Sequence, residues 1–227
     1  MNKVEQQIKS IHSQIASCAS GCGRSQEDIK LVAVSKYATI EQIQQAYHFG
    51  IRLFAESRVL EAVRRKQLLP PDISWHFIGR IQSNKIHKMI GQFALIHSVA
   101  DLKVAQALSS QSMEQGLIQP VLLQVKITDD VNKQGFASDE MLNCWDQLSC
   151  LPGIYIQGLM TMAPHTEDVD VIRHCFHSLA DLQTVLNKSG GRLRELSMGM
   201  SSDFHVAIEE GSTLIRIGSL IFSSDKQ

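Results

Sequence analysis

The sequence predicts a (β/α)8 barrel, and three observations support that fold class. Short apolar runs recur along the chain with helical patterns between them, and most of the runs do not alternate apolar with polar residues. Continuous apolar runs are typical of parallel strands that helices cover on both faces. We count eight such runs after one leading helix in a chain of 227 residues, which is within the usual size range of this barrel.

An open, doubly wound sheet has the same local pattern of strands and helices. The number of apolar runs and the absence of a glycine-rich loop after the first of them favour the barrel. The predicted strands lie near residues 31–35, 51–55, 74–78, 93–97, 121–127, 154–160, 193–197 and 214–217.

Helix signals separate the predicted strands. The leading helix carries an apolar stripe at the spacing of one helix face, formed by Val4, Ile8, Ile11 and Ile15. Thr39 and Gln42 predict a capping box at the start of the second helix. Further N-caps are predicted at Ser57, Ser83, Ser138 and Ser202. No linker rich in proline, glycine or serine divides the chain, so we expect one domain over residues 1–227.

Composition and charge exclude several function classes. The net charge of -1 argues against a broad basic surface for nucleic acid or anionic membranes. The first residues carry no apolar core of a signal peptide, and no apolar run approaches the roughly 20 residues that span a bilayer. The five cysteines are an odd number, which indicates reduced thiols. We therefore expect a cytoplasmic protein, and we separately expect it to be a monomer.

Lys36 is the first candidate for chemistry, because it follows the predicted strand at 31–35. A lysine at the end of a buried strand is expected to be desolvated, and desolvation favours the neutral amine that attacks aldehydes. At the other end of the chain, Ser201, Gly218 and Ser219 follow the seventh and eighth strands. Barrels commonly bind phosphate in their last two loops, through backbone N–H groups and hydroxyls. An aldehyde and a phosphate together indicate pyridoxal phosphate.

Structural alternatives exist for each of these residues. Lys36 could be a solvated lysine, and Ser201 could be part of a plain helix cap. Arg216 lies inside an apolar strand and needs a partner, for which a carboxylate is the simplest choice. The run Arg64-Arg65-Lys66 is expected to be an exposed helix end.

Five stretches of the chain resemble the pyridoxal phosphate homeostasis protein family, also called the proline synthase co-transcribed family. They are LVAVSK at residues 31–36, WHFIG at 75–79 with Gln82 and Asn84-Lys85, GLMTMAP at 158–164, LSMGMS at 196–201 with Asp203, and GST at 211–213 running into RIG at 216–218. Together these motifs cover nearly the whole chain and are highly specific.

The resemblance implies a single-domain barrel like the alanine racemase N-terminal domain, with pyridoxal phosphate bound to Lys36 as a Schiff base. It implies that Ser201, Gly218 and Ser219 hold the phosphate and that Arg216 faces the pyridine nitrogen. It also implies a role in vitamin B6 and amino-acid homeostasis without an established catalytic turnover, with pyridoxal phosphate-dependent apoenzymes as possible partners. Met198 belongs to a group of methionines at two strand ends, and we count it among the cofactor-binding residues.

Several positions depart from the family pattern, and one of them, Ser219, replaces a usual threonine and keeps the hydroxyl. Ser57 stands where the family has an asparagine near the cofactor ring, and we expect its hydroxyl to take that place. Lys126 follows the fifth strand where the family usually has asparagine, and Asp130 and Lys133 match charged family residues in the same loop.

An enzyme is the alternative to a carrier of the cofactor. A charged Arg216 opposite the pyridine nitrogen would disfavour its protonation and weaken the ring as an electron sink. The chain is expected to end after the eighth strand, without a second domain to supply an opposing acid or base. The rival interpretations are a small pyridoxal phosphate-dependent racemase or decarboxylase, and a cofactor-free aldolase that uses Lys36.

Overall fold

The computed structural model describes residues 2–128 and 134–222, which form a closed barrel of eight parallel strands. The strands are β1 Lys30–Val34, β2 Leu53–Glu56, β3 Ser74–Phe77, β4 Leu95–Val99, β5 Gln119–Gln124, β6 Ile154–Met160, β7 Glu195–Ser197 and β8 Leu214–Ile217. Each strand pairs with the next, and β8 returns to pair with β1. The predicted fold class is confirmed.

Helices connect the strands on the outside of the barrel. They are α1 Lys3–Gly21, α2 Ile40–His48, α3 Val59–Leu68, α4 Leu102–Glu114, α5 Ser138–Ser149, α6 Val169–Lys188, α7 Phe204–Glu209 and α8 Ser219–Phe222. The connection between β3 and β4 is a 3-10 helix, Ser83–Lys88. No helix in the described ranges is both long and apolar enough to cross a bilayer.

The helix starts are set by different residues from most of those predicted. The capping box at Thr39 and Gln42 is present in both directions. The four serines predicted as N-caps do not hold that position, which is occupied instead by Arg58, Gln82, Ala137 and Asp203. Ser57 and Ser202 consequently lie in the loops before their helices, where their hydroxyls are free to face a ligand.

Apolar residues fill two regions of the molecule. The larger core lies mainly between the barrel and its helices, and it includes the predicted stripe of α1. A smaller cluster lies apart from it and takes one member from each of six strands: Val32, Ala55, Leu95, Leu122, Met160 and Leu214. Four polar residues on β3, β4, β7 and β8 are also buried and hydrogen-bonded to one another, namely His76, His97, Ser197 and Arg216.

Candidate functional site

A cavity of about 650 Å³ opens at the carboxyl ends of the strands, where barrel enzymes and binding proteins place their sites. Its wall is formed by the loops after β1, β2, β7 and β8 together with residues at or near the ends of β3 and β6. Six of the seven residues predicted to bind the cofactor lie in this wall: Lys36, Ser57, Ser201, Arg216, Gly218 and Ser219.

Met198 is the predicted site residue that the structure places elsewhere. Its side chain is 0% exposed and packs in the large core. Successive residues of a strand point to opposite faces, so Ser197 faces the barrel interior while Met198 faces the helices. Met200, together with Met160 and Met162, lines the cavity instead.

Lys36 lies in the cavity wall but is exposed, so the expected desolvation of its amine is not found. The loop after β1 leads outwards at this point, and the Lys36 Nζ lies 5.0 Å from the ring centroid of Tyr37. Tyr37 is itself 85% exposed. The amine is therefore accessible to a ligand that enters the cavity.

A buried ion pair holds the loop that carries Lys36. Arg65 on α3 is only 7% exposed, which corrects the expectation of an exposed helix end. Its guanidinium donates to the Glu56 carboxylate at 2.6 Å. It also donates to the backbone carbonyls of Ser35 at 2.6 Å and Ala38 at 2.9 Å. These two carbonyls flank Lys36, so the pair fixes both ends of the short segment on which the amine sits.

Glu56 completes this arrangement from the end of β2. Its carboxylate accepts a hydrogen bond from the Ser35 hydroxyl at 2.7 Å. Burial raises the pKa of Glu56, while the hydrogen bond from Ser35 and the charge of Arg65 act in the opposite direction. The carboxylate thus depends on its partners to be ionised inside the protein.

Arg216 reaches the cavity from β8 and is 4% exposed. It donates to the Ser197 hydroxyl at 2.7 Å and to the Thr161 carbonyl at 2.9 Å. Burial lowers its pKa to about 10, and the charge of Asp203 works against that change. The ion pairs found between described residues do not include Arg216, so the simple carboxylate pairing considered for it is replaced by neutral acceptors.

The loop between β7 and α7 is tightly folded. Gly199 has a φ of +91°, and a Cβ added there would lie 2.6 Å from the Cβ of Ala207. The buried Asp203 carboxylate accepts from the backbone N–H of Met200. This loop brings Ser201 and Ser202 to the cavity. The described residues that line the cavity include no acidic side chain. Because the Asp203 carboxylate is buried and does not line the cavity, the serine hydroxyls there suit an anionic group such as a phosphate.

The loops after β2 and β3 pack directly on each other. A Cβ added to Gly79 would lie 2.1 Å from the backbone carbonyl oxygen of Ser57, so only glycine fits. This contact fixes Ser57, which lines the cavity from the β2 side.

Lys126 departs from the family pattern and lies outside the cavity wall. Lys126 is half-buried, and its backbone N–H donates to the Phe136 carbonyl at 2.9 Å. It is not among the residues that line the cavity. Asp130 and Lys133 fall outside the described residues.

Comparisons with known proteins identify the family of the chain. The family model described as "Alanine racemase, N-terminal domain" matches residues 10–225. The pyridoxal phosphate homeostasis protein of Aquifex aeolicus is 33% identical over 228 residues, which cover 100% of both chains. The protein of the same name from Synechocystis is 42% identical over 197 residues, or 86% of this chain and 90% of the relative.

Solved structures extend the comparison. PipY of Synechococcus elongatus without pyridoxal phosphate has a TM-score of 0.88 and 35% identity, covering 97% of this chain and 100% of PipY. PipY was also solved with pyridoxal phosphate bound, with a TM-score of 0.86, 34% identity and the same coverage of both chains. An alanine racemase of Clostridium difficile shares the fold at 14% identity, with a TM-score of 0.76, over 100% of this chain and 58% of its own. The chain therefore belongs to the pyridoxal phosphate homeostasis protein family, within the wider family of the alanine racemase N-terminal domain.

Proposed function

We propose that this protein binds pyridoxal 5'-phosphate as a Schiff base on Lys36 and acts in intracellular vitamin B6 and amino-acid homeostasis. The observation that carries the proposal is the composition of the cavity wall. An accessible amine, serine hydroxyls from two neighbouring loops and a buried guanidinium border one space of about 650 Å³. The names of the relatives and the PipY structure with pyridoxal phosphate support the same ligand.

The donor set fits the aldehyde, the phosphate and the pyridine nitrogen of the cofactor. Lys36 meets the aldehyde, because its amine is the accessible nucleophile of the wall. Ser201 and Ser219 hold the phosphate together with the backbone at Gly218, where α8 begins and its first N–H groups have no intrahelical acceptor. Arg216 is left for the pyridine nitrogen, and the apolar walls at Val34, Ile78 and Met160 cover the ring. Ser57 borders the same space.

We further propose that the bound cofactor turns over no amino acid. Pyridoxal phosphate supplies an electron sink to enzymes when its ring nitrogen is protonated. The Arg216 guanidinium has only N–H donors, so it cannot accept a hydrogen bond from a protonated ring nitrogen. The protein would act as a cytoplasmic monomer that serves pyridoxal phosphate-dependent apoenzymes. A small racemase-type or decarboxylase-type enzyme is the alternative, on the strength of the shared fold alone.

Attachment is tested by titrating the apoprotein with pyridoxal phosphate, reducing the product with borohydride and mapping the peptides. We expect the pyridoxyl mass on the peptide that contains Lys36, and its loss in Lys36→Ala. Lys126→Ala serves as the control and should keep the label. A label found mainly on Lys126 or Lys133 would overturn the assignment. A colourless protein that binds no pyridoxal phosphate would favour the aldolase interpretation.

Turnover is tested separately, by deuterium exchange at the α-carbon of added amino acids. We expect no exchange at catalytic rates, and altered B6 vitamer or amino-acid pools in cells that lack the protein. Exchange at catalytic rates that Lys126→Met abolishes, with cofactor still bound, would make the protein an enzyme.

A further inference from the structure

A chain of buried hydrogen bonds runs through the barrel interior from Arg216. The Arg216 guanidinium donates to Ser197 Oγ at 2.7 Å, and Ser197 Oγ lies 2.8 Å from His97 Nδ1. His97 Nε2 lies 2.9 Å from His76 Nδ1. The chain links β8, β7, β4 and β3 across the barrel. None of these groups other than Arg216 lines the cavity, so the proposed binding of the cofactor does not use them directly.

The direction of the chain follows from the chemistry of its first member. A guanidinium can only donate, so Ser197 Oγ accepts from Arg216. The hydroxyl of Ser197 then has one hydrogen to donate, and His97 Nδ1 is the acceptor within reach. A neutral imidazole with an accepting Nδ1 carries its proton on Nε2, which donates in turn to His76 Nδ1. Both histidines are thereby fixed as Nε2–H tautomers.

If the hydrogen bonds ran in the opposite direction, fewer of the polar groups would have a partner. If His97 Nδ1 carried the proton, Ser197 Oγ would accept two bonds, and the hydrogen bonds of the described residues offer its own hydrogen no other acceptor. Ser197 is 0% exposed, so bulk solvent does not supply that acceptor. Burial lowers the pKa of His97 well below its usual value and the charge of Arg216 acts in the same direction, which agrees with a neutral ring.

We propose that Ser197, His97 and His76 are positioning residues that fix the orientation of Arg216 and direct a remaining N–H group of its guanidinium to the pyridine nitrogen. This inference rests on the proposed binding of pyridoxal phosphate. Ser197 and Thr161 hold two sides of the planar guanidinium. Because hydrogen bonds in a buried chain strengthen one another, a Ser197 hydroxyl that donates to His97 is a better acceptor for Arg216.

The test compares two ligands and three variants. The ligands are pyridoxal phosphate and an analogue with a C–H group in place of the ring nitrogen. The variants are His97→Phe, which removes the relay, His97→Gln, which can still accept and donate, and Ser197→Ala, which removes only the hydroxyl. Binding is followed by titration of each apoprotein, and thermal unfolding checks that each variant folds.

We expect His97→Phe and Ser197→Ala to weaken pyridoxal phosphate roughly tenfold, the equivalent of one hydrogen bond. The carbon analogue should change less than twofold, and His97→Gln should restore most of the loss. Equal weakening of both ligands would show a purely structural role and overturn the proposal, as would no change in either. If His97→Phe does not fold, Ser197→Ala carries the same comparison.

A measurement on the ligand-free protein separates this inference from the proposed function. Nitrogen-15 NMR of the histidine rings reports which ring nitrogen carries the proton. We expect His76 and His97 to be neutral Nε2–H tautomers at neutral pH in the wild type, and the His97→Gln variant to keep the His76 signal. An Nδ1–H tautomer of His97 would overturn the proposed direction of the hydrogen bonds, even in a protein that binds pyridoxal phosphate. If His76 and His97 are both Nε2–H tautomers but the wild type binds no pyridoxal phosphate, the hydrogen-bond chain stands and the proposed function fails. The role of Arg216 toward the ring is then overturned as well.

Discussion

Replacing Arg65 by methionine removes the side chain that ties the Lys36 segment to the barrel. Methionine has a similar length, so the main loss is the guanidinium with its bonds to Glu56, Ser35 and Ala38. Glu56, at 1% exposed, would stay buried with the Ser35 hydroxyl and the Ser57 backbone as its partners. Breaking a buried ion pair by removing one partner costs about 3–5 kcal/mol, which we expect as the decrease in the free energy of unfolding in urea.

The same substitution should weaken binding of pyridoxal phosphate. Residues 35–38 would lose their anchor, and ordering them on binding costs roughly 1–2 kcal/mol for each residue that is fixed. Titration of the apoprotein with pyridoxal phosphate measures this loss.

Two variants control the argument. Arg64→Met changes the neighbouring, exposed arginine of α3 and should alter the free energy of unfolding by no more than about 0.5 kcal/mol. Adding Glu56→Gln to Arg65→Met removes the unpaired charge and should recover at least about 1 kcal/mol. If Arg65→Met lowers stability by less than about 1 kcal/mol, or if Glu56→Gln brings no recovery, the pair does not hold this segment.

Three further changes have expected outcomes. Ser201→Ala should weaken pyridoxal phosphate by about 1.5–3 kcal/mol and leave pyridoxal unaffected, as titrations of both ligands would show; equal weakening would place Ser201 away from the phosphate. Gly79→Ala should lower the midpoint of urea unfolding by the equivalent of about 1–3 kcal/mol, because its Cβ would overlap the Ser57 carbonyl. Burial lowers the pKa of His76 to about 4 from 6.5, with smaller effects of Glu195 and Lys30. As pH falls from 6.5 to about 4, His76 therefore takes up a proton in the unfolded chain but not in the folded protein. The free energy of unfolding should fall by about 3 kcal/mol over this range. His76→Phe should remove this part of the acid sensitivity, as urea unfolding at a series of pH values would show. An unchanged pH dependence would contradict the assignment to His76.

The strands were predictable because most of them are buried on both faces, and two of the predicted ranges, at β6 and β8, match the structure. Most of the other boundaries shift by one to three residues, since apolar residues such as Ile51 and Leu193 pack in the core without joining the barrel's hydrogen-bond ladder. An apolar residue signals burial, and the sequence carries no separate signal for strand pairing.

The cavity wall was predictable where it depends on the ends of strands, as for Lys36, Ser201 and Arg216. Met198 was assigned by its neighbours in sequence, although a shift of one residue along a strand reverses the face. The groups that hold the site were missed. His97 and Ser197 are 100 residues apart, and Arg65 meets Ser35 across 30 residues, so no local pattern marks either contact.

The closure of the barrel has a consequence for folding. β1, which leads to Lys36, pairs with β8, and Val32 lies opposite Arg216 across this seam. The amine and the guanidinium therefore come together only when the first and last strands of the barrel meet, which is a contact of long sequence separation and slow to form. A ligand that contacts both sides binds the closed barrel and not the open chain. At a concentration 100 times its dissociation constant it would stabilise the closed state by about 2.7 kcal/mol. The supply of such a ligand would in this way also raise the free energy of unfolding of the closed barrel.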